Sequence, residues 1–283
     1  MKIRPLRFLS LFTLSLLYAV PSSLFAQEVP SYLRDRGPGI QTSIFGTCVT
    51  RGELLVSPFV EYYADHNFEY KPAELGYGLE QDFRGKYRAT EGLLFLGYGV
   101  TDRLAIEVEA AVIKATLTKS PKDPSPMPAK LSQSGQGDMQ MQLDYLLSKE
   151  SATRPAVFSY FEVDFPSNRR KLLIGSTGYE LIAGAGLTRG FRWGTVTGRA
   201  SFSHGDGKTE FGEWAFEYLK RVSSRWRVYA GVEGTQDELE LNLQAQWHIN
   251  DRVYVRLNNG FGLTSKTVDL APDLGIVFSL GGR

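Results

Sequence analysis

Glu238-Leu239-Glu240-Leu241-Asn242-Leu243-Gln244-Ala245-Gln246-Trp247-His248-Ile249 decides the fold. Leu239, Leu241, Leu243, Ala245, Trp247 and Ile249 fall on one face, and Glu238, Glu240, Asn242, Gln244, Gln246 and His248 on the other. A polar turn at Asn250-Asp251 follows and the pattern restarts. Val253, Val255, Leu257, Phe261 and Leu263 oppose Arg252, Tyr254, Arg256 and Asn258. After Thr264-Ser265-Lys266 it runs a third time, with Val268, Leu270, Leu274, Ile276, Phe278 and Leu280 opposite Asp269, Asp273 and Ser279. A period of two means strand, because successive side chains on a pleated backbone point to opposite sides. Each run is about ten to thirteen residues, against roughly five to six for an ordinary globular strand. A tilted strand needs about nine to eleven residues to cross a bilayer, so these read as transmembrane strands.

Followed backwards, the same alternation predicts a closed antiparallel transmembrane β-barrel of about twelve strands, within a range of ten to fourteen. Its earlier strands centre on residues 54–63, 84–100, 104–112, 139–147, 157–165, 179–188, 195–202, 213–218 and 225–233. In 84–100 the faces cannot be assigned, because Leu93 to Leu96 is continuously apolar. Short turns are expected at 101–103, 148–154, 189–190, 222–224 and 250–251, and long polar loops at 65–83, 119–137 and 167–178. Outer-membrane barrels combine short periplasmic turns with longer outer loops. Trp193, Trp226 and Trp247 lie within a few residues of the short turns and are expected to form an interface girdle, where an indole satisfies both its apolar body and its N–H.

Charge is nearly balanced, with 32 Lys+Arg against 31 Asp+Glu, so no nucleic-acid partner is implied. A mean hydropathy of −0.20 is compatible with a membrane barrel, since only alternate residues meet lipid. A soluble carrier barrel would put the apolar faces inside, but about twelve strands enclose a core too wide for these side chains to fill. Lys2, Arg4 and Arg7, the apolar run Phe8 to Val20 and a small residue at Ala26 read as a signal peptide over 1–26. The barrel proper is expected over 53–283, and residues 27–52 read as a periplasmic lead or a lumen plug. One cysteine, Cys48, allows no internal disulfide. The expected location is the cell outer membrane, with membrane lipid, lipopolysaccharide and the barrel-assembly machinery as partners and no cofactor.

The inward faces supply the candidate channel lining: Glu61, Glu107, Glu109, Asp138, Asp144, Glu162, Asp164, Arg199, Glu213, Glu217, Arg227, Glu240, Arg256 and Asp269. Phe59, Tyr63, Tyr160, Tyr229 and Tyr254 are the aromatic lumen candidates. Such a surface either selects solutes by charge and size in an open channel, or forms an ion-pair network that fills a narrow barrel. The aromatics either line a path for aromatic solutes or act as filler. A surface enzyme is the rival class. Ser203-His204-Gly205-Asp206 has suitable residue types, but neighbours on a strand face opposite sides, so Ser203 and His204 are poorly placed to meet. No metal-ligand spacing or phosphate loop stands out, and catalytic and metal residues are expected to be none.

The sequence also resembles a family of bacterial outer-membrane proteins linked to the meta-pathway of phenol degradation. The matching residues are Leu55 to Tyr62 (LVSPFVEY), Tyr98 to Arg103 (YGVTDR), Ser134 to Asp138 (SGQGD) and Val163 to Ser167 (VDFPS). The resemblance implies a barrel that passes or binds small solutes, aromatic or hydrophobic compounds among them. This chain ends Leu280-Gly281-Gly282-Arg283, so Phe278 stands nearest to the terminal aromatic many such barrels carry.

Overall fold

A computed structural model describes residues 30–42, 47–167 and 170–282. The signal peptide expected over 1–26 lies outside them. Twelve antiparallel strands form the closed barrel: β3 (Glu53–Tyr70), β4 (Phe83–Gly99), β5 (Leu104–Thr118), β6 (Lys130–Ser148), β7 (Ala156–Phe165), β8 (Glu180–Phe191), β9 (Gly194–Gly205), β10 (Lys208–Arg221), β11 (Trp226–Gly234), β12 (Leu239–Asn250), β13 (Val253–Gly262) and β14 (Leu270–Gly281). Two short strands precede them, β1 (Ile40–Gln41) and β2 (Cys48–Val49). Each barrel strand pairs with the next, and β14 closes on β3 from Leu270 opposite Ala64 to Gly281 opposite Glu53. Closure leaves no sheet edge in the hydrocarbon, where an unpaired backbone group would cost several kcal/mol.

Large apolar side chains stand exposed on the outside of every barrel strand: Val60, Leu94, Val112, Leu143, Phe161, Leu181, Phe202, Phe216, Val228, Leu243, Leu257 and Leu274. A band of this extent is untenable in water and fits a lipid belt. At the short-turn end, Trp193, Trp226 and Trp247 project outward. Trp226 lies across the ladder from Trp247, and their rings stack at 6.4 Å. Trp193 stacks between Phe191 at 4.6 Å and Tyr218 at 5.7 Å. Taking the short-turn end as periplasmic, the long loops face out.

The belt yields a direct test. Leu257 is 58% exposed and sits mid-strand, opposite Leu274 on β14 and Ala245 on β12. Leu257→Arg should cost about 2–4 kcal/mol of folding free energy, the usual cost of a cation at the bilayer midplane. Urea-dependent folding into lipid vesicles, followed by heat-modified gel mobility, reads this directly. An unchanged midpoint would place this face away from lipid.

Three expectations are corrected. The regions 65–83 and 119–137 are not all loop: β3 runs on to Tyr70, β4 starts at Phe83 and β6 starts at Lys130. There one face packs on an apolar cluster of Tyr70, Phe83, Leu117 and Met127 formed with the loops, so pairing persists although the sequence reads as polar loop. Arg189-Gly190 is not a turn, because β8 runs through it and the chain reverses at Arg192-Trp193. Within 84–100 the faces resolve, with Leu94 and Tyr98 outward and Leu93 buried inward. Phe95 is also inward, packed against the apolar core inside the barrel. Leu93 to Leu96 is therefore continuously apolar because apolar side chains stand on both of its faces.

Candidate functional site

Inside the periplasmic half, β1 and β2 pair with Ile40 opposite Val49. Both side chains are fully buried, against inward wall residues that are themselves apolar: Leu55, Ala105, Leu146, Ala156, Phe158 and Val277. Polar contacts complete the seat. The Gln41 carboxamide oxygen accepts from the Thr188 and Thr197 hydroxyls, each at 3.1 Å, and its nitrogen donates to Glu217 at 3.3 Å. The Arg221 amide donates to Asp35 at 2.7 Å. Arg36 forms an ion pair with Glu150, the two side chains being 3% and 2% exposed. Glu150 also accepts from the Gly190 amide at 2.7 Å and lies 3.8 Å from Arg189. Backbone contact is close enough to demand glycine at two wall positions. A Cβ on Gly190 would lie 2.1 Å from the Tyr32 carbonyl oxygen, and one on Gly99 would lie 2.0 Å from that of Thr50.

Above this segment the lumen is acidic. The ladder sets Glu61 opposite both Glu91 and Asp273, and Glu233 opposite Glu240. Two arginines stand among the acids. Arg199 pairs with Glu213, with Glu217 at 3.6 Å and with Glu233 at 3.4 Å. Arg256 lies 3.3 Å from Asp273, and its guanidinium sits 4.1 Å above the Phe59 ring, a cation–π distance.

The interior spaces follow the axis. Towards the outer loops a cavity of about 490 Å³ is lined by Tyr160, Glu162, Arg199, Glu213 and the 235–238 turn. Mid-lumen, a cavity of about 370 Å³ brings together Phe59, Glu61, Tyr63, Glu107, Glu109, Arg199, Glu240 and Arg256, with Thr42 and Thr47 as its floor. Asp144 and Glu217 border a narrow gap beside Gln41. Below the segment, Arg227 and Tyr254 line a basic periplasmic vestibule of about 560 Å³, together with Arg36, Arg221, Arg225 and Arg252. Tyr229 is buried in the wall, and Asp164 lies opposite Gln140 and Glu180 on the neighbouring strands.

Two of the expected lining residues stand elsewhere. Asp138 sits where the β5–β6 register shifts, Ala110 pairing with Met139 and Val112 with Gln136. Its carboxylate accepts from the Ser167 amide at 2.8 Å and the Ser176 amide at 2.6 Å, tying those two residues to β6. Asp269 precedes β14 and accepts from the backbone amide of His66 at 2.9 Å, with its ring Nδ1 at 3.0 Å. Those two contacts hold the Asp269 carboxyl below the ordinary carboxylate range. Conversely, Glu91, Ser57, Gln142 and Phe95 face inward and were not among the expected residues; Glu91 and Phe95 lie in the stretch whose faces were unreadable. His204 is exposed and bonded to the Thr209 hydroxyl at 2.8 Å, with Ser203 on the opposite face lining the outer cavity.

No protein-family model matches the chain, and no curated protein matches it. Among solved structures, an outer-membrane channel from Pseudomonas putida F1 superposes with a TM-score of 0.58 at 15% identity, over 81% of this chain and 96% of that one. The oligogalacturonate-bound KdgM porin gives 0.47 at 8% identity, over 80% and 99%. The translocator domain of the autotransporter NalP from Neisseria meningitidis gives 0.46 at 8%, over 80% and 88%. The first of these likenesses carries the comparison, and it concerns the fold: the chain is built as an outer-membrane β-barrel.

Proposed function

We propose that the protein is an outer-membrane conduit for small solutes, with residues 30–42 and 47–50 seated as a plug in its periplasmic half. The observation that carries this reading is the interior itself. It holds spaces of about 490, 370 and 560 Å³ lined by charged side chains, in the size range of small-molecule sites, where a sealed structural barrel would be filled. The likeness in fold to a Pseudomonas outer-membrane channel supports it, as does the resemblance to the phenol meta-pathway family, whose expected solutes are aromatic or hydrophobic. Membrane lipid, lipopolysaccharide and the assembly machinery are the partners this reading implies, and it assigns no catalytic residue.

Single-channel recording of the refolded full chain in a planar bilayer tests it. Small ohmic steps with cation preference are expected, because mid-lumen carboxylates outnumber arginines. Glu240→Gln should reduce that preference and Arg256→Gln should increase it. A folded, heat-modifiable barrel that passes no current would overturn the conduit and leave a sealed barrel.

A further inference from the structure

Resting on the conduit reading, we propose that the mid-lumen cavity is a binding site for an organic cation, a primary amine carrying an aromatic or apolar group. Three side chains on its wall point to a ligand. Ser57, Glu107 and Asn258 are 3%, 7% and 5% exposed, and Ser57 Oγ, Glu107 Oε1 and Asn258 Oδ1 have no hydrogen-bond partner. Each is an oxygen able to accept from an ammonium N–H, and buried polar atoms are ordinarily satisfied.

The charge pattern points the same way. A structural network would set acids against bases across the ladder, since like charges directly opposite are destabilising. Here Glu61 faces both Glu91 and Asp273, and Glu233 faces Glu240. The arginines on the cavity, Arg199 and Arg256, are engaged with Glu213, Glu217, Glu233 and Asp273. Glu61, Glu107, Glu109 and Glu240 form no ion pair among the described residues, so four carboxyl groups border the space with no basic partner. Among the described residues no group of carboxylates converges as metal ligands, which favours a diffuse organic cation over a metal ion.

The apolar half of the ligand is set by the aromatics. Phe59, Tyr63 and Phe95 line the same cavity, and an aromatic face attracts an ammonium. Tyr63 also borders an outer pocket of about 430 Å³ with Phe68, Tyr87, Leu75 and Leu173, where the Phe68 and Tyr87 rings stack at 4.8 Å. An amine with an aromatic group thus meets an apolar pocket at the mouth and carboxylates below it.

Benzylammonium, benzyl alcohol and benzoate are matched in size and differ in charge. Each is titrated calorimetrically into the purified full chain in detergent micelles. Benzylammonium should bind at least about tenfold more tightly than either of the others, equivalent to about 1.4 kcal/mol. The isosteric pair Glu61→Gln with Glu107→Gln should remove that preference and leave benzyl alcohol binding unchanged. Ser57→Ala, which keeps every charge, should weaken benzylammonium by a smaller factor. Heat-modified gel mobility shows that each variant is folded, and Asp102→Asn in the periplasmic turn serves as a charge control. Equal affinity for the three probes, a preference for benzoate, or a preference that survives the double substitution overturns the cation site. Conductance without such a preference leaves the conduit standing and removes the site. Benzylammonium preference without conductance keeps the site and removes the conduit.

Discussion

Arg36→Ala is expected to raise single-channel conductance several-fold while leaving the barrel's heat resistance unchanged. The ion pair between Arg36 and Glu150 is buried on both sides, and breaking such a pair from one side costs about 3–5 kcal/mol when the remaining charge is stranded. Here Glu150 retains the Gly190 amide and Arg189, so the cost falls on the seating of the segment that carries Arg36 rather than on the 149–155 turn. A loss of about 1.5–3 kcal/mol, that of a hydrogen bond to a charged group, shifts a seated-to-released equilibrium by roughly 10- to 150-fold. The twelve-strand ladder does not involve Arg36. Gly190→Ala should act alike for a different reason, since its methyl group would meet the Tyr32 carbonyl. Both variants are recorded in planar bilayers beside the unaltered protein. Unchanged conductance in both would show that the segment does not limit flow.

Arg199→Met should destabilise the barrel by about 3–5 kcal/mol, because three carboxylates then face each other without their shared cation. Arg199 reaches Glu213 on one strand position, Glu217 at 3.6 Å and Glu233 on the adjacent strand at 3.4 Å, and the Glu217 side chain is only 3% exposed. The cause is distinguishable from lost packing. Acidification neutralises carboxylates, so the deficit relative to the unaltered protein should shrink at low pH, and Arg199→Lys should recover much of it at neutral pH. Urea unfolding in vesicles at the two pH values provides the measurement. A deficit of equal size at both would assign Arg199 a packing role.

Alternation made the fold legible where one face meets lipid and the other meets water or polar groups, as in β12, β13 and β14. The pattern failed where that contrast is absent. Phe95 packs against the apolar cluster around Ile40 and Val49 and Leu93 is buried on the same face, so Glu91 beside them was hidden as an inward acid. Lys130 to Gly137 pairs with β5, but its half-buried face meets loop residues, Leu131 in an apolar cluster and Gln133 at the Leu173 amide, so its residues read as polar loop. The register shift at Ala110/Val112 redirects Asp138 to the outer loop, and a local insertion of this kind leaves no trace in a count of odd and even positions. The seating of Asp35, Arg36 and Gln41 depends on partners more than a hundred residues away, which no local pattern can convey. Glu61 and Glu240 were readable singly as inward acids, whereas the placement of Glu61 opposite Glu91 and Asp273, and of Glu240 opposite Glu233, follows from strand register.

The closing ladder between β3 and β14 joins the two ends of the barrel's stretch of chain, Glu53 meeting Gly281. Contacts of such sequence separation form last, after the hairpins between them have zipped. The segment held inside the barrel lies immediately ahead of β3, so it is already present when the sheet curls shut. A segment placed before that ladder closes would have the barrel wrapped around it, whereas one placed afterwards must enter through the periplasmic mouth.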